Sequence, residues 1–240
     1  MDNVIFLEKN YIAGLSEEFK ADLHQHPVLE IYAACDGDSH VRIGSKTISG
    51  QIIAISPGAL HAIADDGKRG LAVFIDPLSE TGYSMKEHLL QKRTYEAAVC
   101  EGLKAPLAFL LKDHSLAAVC RVSGQLMQAL RGDVVNRPFN SAVLDAISLL
   151  SEEEEDFTME ILASRICLSK SRLAHLFSEQ TGIALKSYLQ YKRLERALLH
   201  IISGSNITEA AMDTGFSGSS HISASGRRLT GMQIRKLLNL

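Results

Sequence analysis

The stretch "LASRICLSKSRLAHLFSEQTGI", residues 162–183, has an echo in "AAMDTGFSGSSHISASGRRLTGM", residues 210–232. Ala163 aligns with Ala211 and Ser169 with Ser217; further on, Leu173 aligns with Ile222, Thr181 with Thr230 and Gly182 with Gly231. The offset grows by one between the two sets, which predicts an added residue inside the second copy's helix. In each copy a short helix runs into a tight turn, Cys167-Leu168 or Gly215-Phe216. A serine suited to capping follows, then a helix of about three turns closed by glycine. Each copy is therefore a helix-turn-helix candidate.

Between the copies, "ALKSYLQYKRLERALLHIISG" sets Leu185, Tyr188, Leu189, Ala197, Leu198 and Ile201 toward a core, with Gly204 as the stop. That spacing predicts one long connecting helix. Asn206, with Glu209 three residues on, has the reciprocal capping arrangement that opens a further helix. A single helix-turn-helix occurs in many folds, but two in tandem on one connecting helix suit successive grooves of a duplex.

The charge distribution points the same way. The 240 residues carry a net charge of −3, with 46% hydrophobic and 22% charged residues, an ordinary composition that suffices for one large or two modest cores. Beyond the acidic run "EEEED" at 152–156, which reads as a solvated hinge, bases outnumber acids, so the C-terminal third is basic and the remainder acidic. A basic third suits a polyanion partner. Charged residues interrupt the first twenty positions, which denies them the apolar core of a signal peptide, and no later run reaches the length of a membrane span. Cys35, Cys100, Cys120 and Cys167 are scattered without a CxxC pair, which argues against a disulfide framework or a cysteine zinc site and fits a reducing cytoplasm.

Over about 157–238 the chain resembles the AraC-type bacterial transcription regulators. The resemblance rests on Leu162-Ala163, Ser169, Leu173, Phe177, Gly182, Tyr188, Arg193-Leu194, Ala197, Ala211, Gly215-Phe216, Ser220-His221 and Leu229-Thr230-Gly231. It implies that each second helix enters the major groove of double-stranded DNA, and that a cupin-type barrel with dimerising helices precedes the DNA-binding module. Lys170, Ser171, Arg172 and His175 then stand in the first reading position, with Arg172 the best base reader because its fork pairs with both guanine acceptors. Ser217, Gly218, Ser219, Ser220 and His221 stand in the second, with Arg227 and Arg228 for the backbone. The second copy departs from the family pattern: Gly226 replaces the usual aromatic, Ala224 a frequent base and Ile234 a proline. Glycine inside a helix costs about 1 kcal/mol relative to alanine, so the second copy is expected to be the looser one.

Residues 1–80 read as short β-rich runs, "VIFL", "VLEIYAAC", "HVRI", "KTIS", "IIAI" and "LAVFID", separated by glycine turns. Gly44-Ser45 has the length and leading glycine of a hairpin loop. Such punctuation suggests a small β-barrel or jelly roll. Helical patterns follow in "MKEHLLQKRTYEAAVCEGL", "SLAAVCRVSGQLMQALRG" and "FNSAVLDAISLL". In the middle one Leu116, Val119, Val122, Leu126 and Leu130 form one apolar stripe, suited to packing on the barrel or on a second copy. The expected fold is α+β: a cupin-like barrel at 1–80, helices for dimerisation or linkage at 81–150, and a tandem helix-turn-helix DNA-binding domain at 157–240.

Within the barrel, His24, His26 and Glu30 are separated by even numbers and share a face if one strand carries them. With Gly37 and "PGALH" at 57–61, the spacing HxHxxxE…G…PGxxH resembles the metal-binding motifs of cupins. His24, His26, Glu30 and His61 thus line an effector pocket or hold zinc, nickel, manganese or iron. The leading expectation is a cytoplasmic, homodimeric regulator, not an enzyme, that binds DNA and senses a small molecule or a metal. Two alternatives stand beside it: a metal-dependent cupin enzyme with a helical tail, and a regulator acting by protein contact with weakened DNA reading.

Overall fold

A computed structural model describes residues 3–17, 20–64, 67–151 and 157–238. The run 152–156, read above as a hinge, lies outside the described residues. Two compact units emerge, one formed by 1–136 together with 230–240, the other by 137–229.

The first unit is built on ten strands, β1 (Val4–Glu8), β2 (Tyr11–Ser16), β3 (Ala21–His24), β4 (Leu29–Ala34), β5 (Ser39–Ile43), β6 (Lys46–Gly50), β7 (Ile52–Ile55), β8 (His61–Ile63), β9 (Gly70–Ile75) and β10 (Tyr95–Ala98). They pair antiparallel into a six-stranded sheet, β1-β2-β9-β4-β7-β10, and a four-stranded sheet, β3-β8-β5-β6. Every residue of β4 and β7 is buried, whereas β5 alternates between buried and exposed. The reason is layering. One face of the large sheet meets the small sheet around Tyr32, Val41, Ile43, Ile53, Ile55, Ile63 and Ala72. Its other face is covered by α1 (Glu80–Leu90), α2 (Glu101–Phe109) and α3 (Leu116–Leu130), so its central strands carry continuous apolar runs. Ile43 pairs with Lys46 around Gly44-Ser45, the hairpin expected from the glycine.

Two helical expectations change. The segment 85–103 is not one helix: α1 stops at Leu90, Gln91 and Lys92 take positive φ (47° and 68°), and Tyr95–Ala98 pairs with β7 as a sheet edge. Pairing with an open edge overrides the alanine-rich propensity there. The α3 stripe packs on its own chain, with Val119, Val122, Leu126 and Leu130 in the core beneath the large sheet, while Leu116 stays exposed.

The second unit is helical: α4 (Ser141–Leu150), α5 (Met159–Arg165), α6 (Lys170–Thr181), α7 (Leu185–Ile202), α8 (Ile207–Asp213) and the body of α9 (Ser219–Thr230). A short α10 (Ile234–Leu237) follows in the first unit. The unit boundaries thus differ from those expected: α4 packs against α6 rather than serving the 81–150 segment, and the last residues join the sheets.

The repeat is visible atom by atom. The Leu168 N–H donates to the Ala163 carbonyl at 3.0 Å, and the Phe216 N–H to the Ala211 carbonyl at 2.8 Å. Cys167 and Gly215 occupy the same turn position with φ of 57° and 72°. Ser169 caps α6 by accepting from the Arg172 N–H, and Asn206 with Glu209 forms the full capping box on α8. The added residue, however, is not inside the helix. Both α6 and α9 have 12 residues, and the extra position lies in the turn, 214–218 against 166–169.

Candidate functional site

Three imidazoles and a carboxylate converge between the two sheets. His24 ends β3 and His61 opens β8, where the two are register partners with ring centroids 4.1 Å apart. His26 lies past the end of β3, and Glu30 lies on β4 in the other sheet. The four do meet, but not on one strand face as the even spacing suggested. Pro27, which lacks an N–H, stands where the chain crosses between the sheets. The Gly58 N–H donates to the His26 carbonyl at 2.8 Å, tying the "PGALH" turn to that crossing. All four residues are at most 4% exposed, and their nearest ligand atoms lie within 4.8 Å of one another.

Each ring is oriented by backbone. Nδ1 of His24 bonds the Asp22 carbonyl (2.7 Å), that of His26 the Val28 carbonyl (3.0 Å) and that of His61 the Ala59 carbonyl (2.9 Å). A carbonyl only accepts, so each Nδ1 carries the proton and each Nε2 is directed elsewhere. Nε2 of His26 and of His61 lie 3.0 and 2.8 Å from the same Glu30 oxygen, Oε2. His24 Nε2 and Glu30 Oε1 are buried and have no hydrogen-bond partner in the structure. For His26 and His61 to make both bonds, each ring needs two protons. A divalent cation replaces those two inner protons without changing the charge of the cluster, and it also gives the two orphaned lone pairs a partner.

The electrostatics agree. Burial pushes the His24 pKa down to about 4, with Glu30 pulling against it. Burial alone would raise Glu30, but the charges and hydrogen bonds of His61 and His26 hold its carboxyl below the usual range. Burial would lower His61, yet the charge and hydrogen bond of Glu30 leave it raised. The donor set fits a borderline transition metal, and the backbone carbonyls do the orienting that such ligands require. Sequence reasoning found the four side chains but not Asp22, Val28 and Ala59, whose contribution is a backbone oxygen with no residue signature.

The residues expected at DNA lie on α6, on α9 and in the turn before it. Lys170 opens α6 and pairs with Glu160 of α5 at 2.7 Å, on the surface. Ser171, Arg172 and His175 are exposed, His175 4.0 Å from Glu179. In the second copy Ser217 does not open the helix as Ser169 does. Its hydroxyl and N–H both face His221 Nδ1 (3.1 and 3.4 Å), and the His221 ring stands edge-on to Phe216 at 5.2 Å. Gly218 and Ser219 are half-buried and Ser220 is exposed. Arg227 and Arg228 are exposed on the last turn of α9, where the Arg228 guanidinium donates to Gln190 Oε1 of α7. Gly226 is buried within α9 and Ala224 exposed.

A family profile described as a helix-turn-helix domain matches residues 162–239. The arabinose operon regulatory protein of Salmonella typhimurium is 31% identical over 106 residues, 43% of this chain and 38% of that protein. Its Escherichia coli counterpart is 30% identical over 108 residues, 44% and 37% of the two chains. Invasion protein InvF of Salmonella typhi is 33% identical over 93 residues, 38% and 43%. The matched stretch spans less than half of each of these relatives. Among solved structures, ToxT from Vibrio cholerae shares the α+β fold over 96% of this chain and 98% of its own, with a TM-score of 0.57 at 10% identity. ToxT bound to an unsaturated fatty acid gives 0.56 at 8%, over 97% and 98%. The profile match falls on the part of the chain that carries the repeated turn. No helix among the described residues is long and apolar enough to cross a membrane.

Proposed function

We propose that this protein is a metal-responsive, DNA-binding transcription regulator whose first unit is a cupin-like sensor. The observation that carries the sensing half is the clustering of three buried imidazoles around one buried carboxylate, with Nε2 of His26 and His61 on the same Glu30 oxygen, His24 Nε2 left without a hydrogen-bond partner, and all three Nδ1 atoms held by carbonyls. His24, His26, Glu30 and His61 hold the effector, a divalent ion of zinc, nickel, manganese or iron. Full burial suits a sensing ion better than a catalytic one, which has to keep a position open to substrate. A fatty acid, the ligand named for one ToxT structure, would bring a second carboxylate against ionised Glu30 in this cluster. The DNA half is supported by the repeated turn, by the matching family profile and by the arabinose operon regulators. Arg172 and its neighbours on α6 read bases, and α9 serves mainly the backbone through Arg227 and Arg228. Two copies pair through the outer side of 85–131, where Phe109, Leu111 and Leu116 are exposed.

The test is selection of bound fragments from random genomic DNA by the full chain, with chelator and with each of the four metals in turn. Enrichment that changes with one metal is expected. Equal enrichment under all conditions contradicts metal sensing, and none under any condition contradicts DNA binding.

A further inference from the structure

The two copies of the repeat end alike but pack differently. Gly182 and Gly231 both take left-handed φ, 73° and 67°. In both, the residue after the glycine donates its N–H to the preceding threonine: Ile183 to Thr181 Oγ1 at 3.1 Å, Met232 to Thr230 Oγ1 at 3.2 Å. The turn is thus the same. Its surroundings are not. A Cβ on Gly182 would meet nothing within 4 Å. One on Gly231 would meet the Asp22 carbonyl oxygen at 2.6 Å, His24 Nδ1 at 2.7 Å and Ala21 Cβ at 3.0 Å. The Asp22 N–H donates to the Gly231 carbonyl at 3.1 Å, and Met232 is 4% exposed in the core with Ala21, Tyr32, Ile55, Ala59 and Ile63. Ile234, where the family pattern has proline, is 1% exposed. The residues that follow α9 are a docked part of the sheet unit, seated on β3 where its register with β8 is irregular.

The seat touches the histidine cluster. The Asp22 carbonyl that a Cβ on Gly231 would meet is the one that accepts from His24 Nδ1, at 2.7 Å. We propose that Gly231–Met232 form a latch that fastens the end of the second helix-turn-helix copy to β3, and that a metal ion on His24 tightens it. The tightening rests on the metal reading above. A ligand bound through Nε2 holds its ring in one orientation and makes its other N–H a stronger donor. That fixes the Asp22 carbonyl, and with it the wall against which Gly231 sits. Because α9 runs into Gly231 without a break, freedom at the latch is freedom at the end of α9.

Hydrogen–deuterium exchange on the full chain tests this, with zinc chloride as the probe and calorimetry reporting zinc binding in the same samples. In zinc-free protein, Gly231→Ala is expected to speed exchange of the 230–235 amides at least about tenfold, with the amides of α6 and α7 unchanged as the control for folding. Met232→Gln, which keeps the length of the side chain but places an amide in the apolar seat, is expected to act in the same direction. Exchange at 230–235 that both variants leave unaltered overturns the docking. Zinc is expected to slow the same amides in the unsubstituted chain and to have less effect in Gly231→Ala. Zinc that binds but leaves 230–235 unaltered overturns the coupling while the metal reading stands. Zinc that does not bind overturns zinc as the ion that tightens the latch, and the docking is then judged by the two variants alone.

Discussion

His61 has to give up a proton before it can ligate a metal, and Glu30 is what holds that proton on. Burial alone would lower its pKa, but the neighbouring carboxylate leaves it raised above the usual 6.5. Below that raised pKa the proton competes with the metal, so affinity climbs as pH rises through it and then levels off. His24 is already neutral down to about pH 4 and adds nothing to this window. Metal affinity measured against a competing chelator from about pH 6 to about pH 9 is therefore expected to increase, with up to about two protons released per ion; a flat profile contradicts the cluster's part in binding. Glu30→Gln is expected to lower affinity at least about tenfold. Glu30→Ala, which removes the oxygen that both His26 and His61 bond, is expected to destabilise the metal-free chain by about 1–3 kcal/mol, read from urea unfolding. The convergence of the four residues was legible because their spacing resembles that of cupin metal-binding motifs. What was not legible is that they come from both sheets, since even spacing describes a continuous strand but not that β3 ends at His24.

At the scale of elements, the tandem repeat was the clearest signal, because caps and turns are chemically specific. Cys167 adopts the same left-handed turn as Gly215 although it has a side chain. An L-residue there stores about 1–2 kcal/mol, so Cys167→Gly is expected to be neutral or stabilising by about 1 kcal/mol and Gly215→Ala destabilising by a similar amount. A matching loss from both substitutions, seen in thermal unfolding, contradicts equivalence of the turns. On DNA, Arg172→Ala is expected to lose about 1–3 kcal/mol and Ser220→Ala much less, because only the former reaches bidentate partners. Equal losses in a binding titration contradict the division of labour between α6 and α9. The strand β10 was missed because "YEAA" has helical propensity, and only the open edge of β7 makes it a strand. The inserted residue was misplaced for a related reason: an alignment offset says that a residue was added between two anchors, not on which side of the helix start.

At the scale of the whole molecule, the order of a sheet-rich unit before a helical one was readable from the change of period near residue 80. The boundary at 229 was not. Ile234 stood out only as a departure from a family pattern and Met232 not at all, and burial is what gives them a physical meaning. The apolar stripe of α3 likewise had two candidate partners, and contact between elements decided for the chain's own sheet. The connecting helix α7 has 18 residues, a length of about 27 Å at 1.5 Å per residue. The proposed paired reading requires this helix to hold α6 and α9 about one duplex turn apart. Hydroxyl-radical footprinting of the full chain on a fragment it selects is the most direct test. Two protected patches about 10 base pairs apart are expected, with the patch assigned to α6 lost in Arg172→Ala. A single patch insensitive to that substitution, or no protection at all, contradicts paired DNA reading.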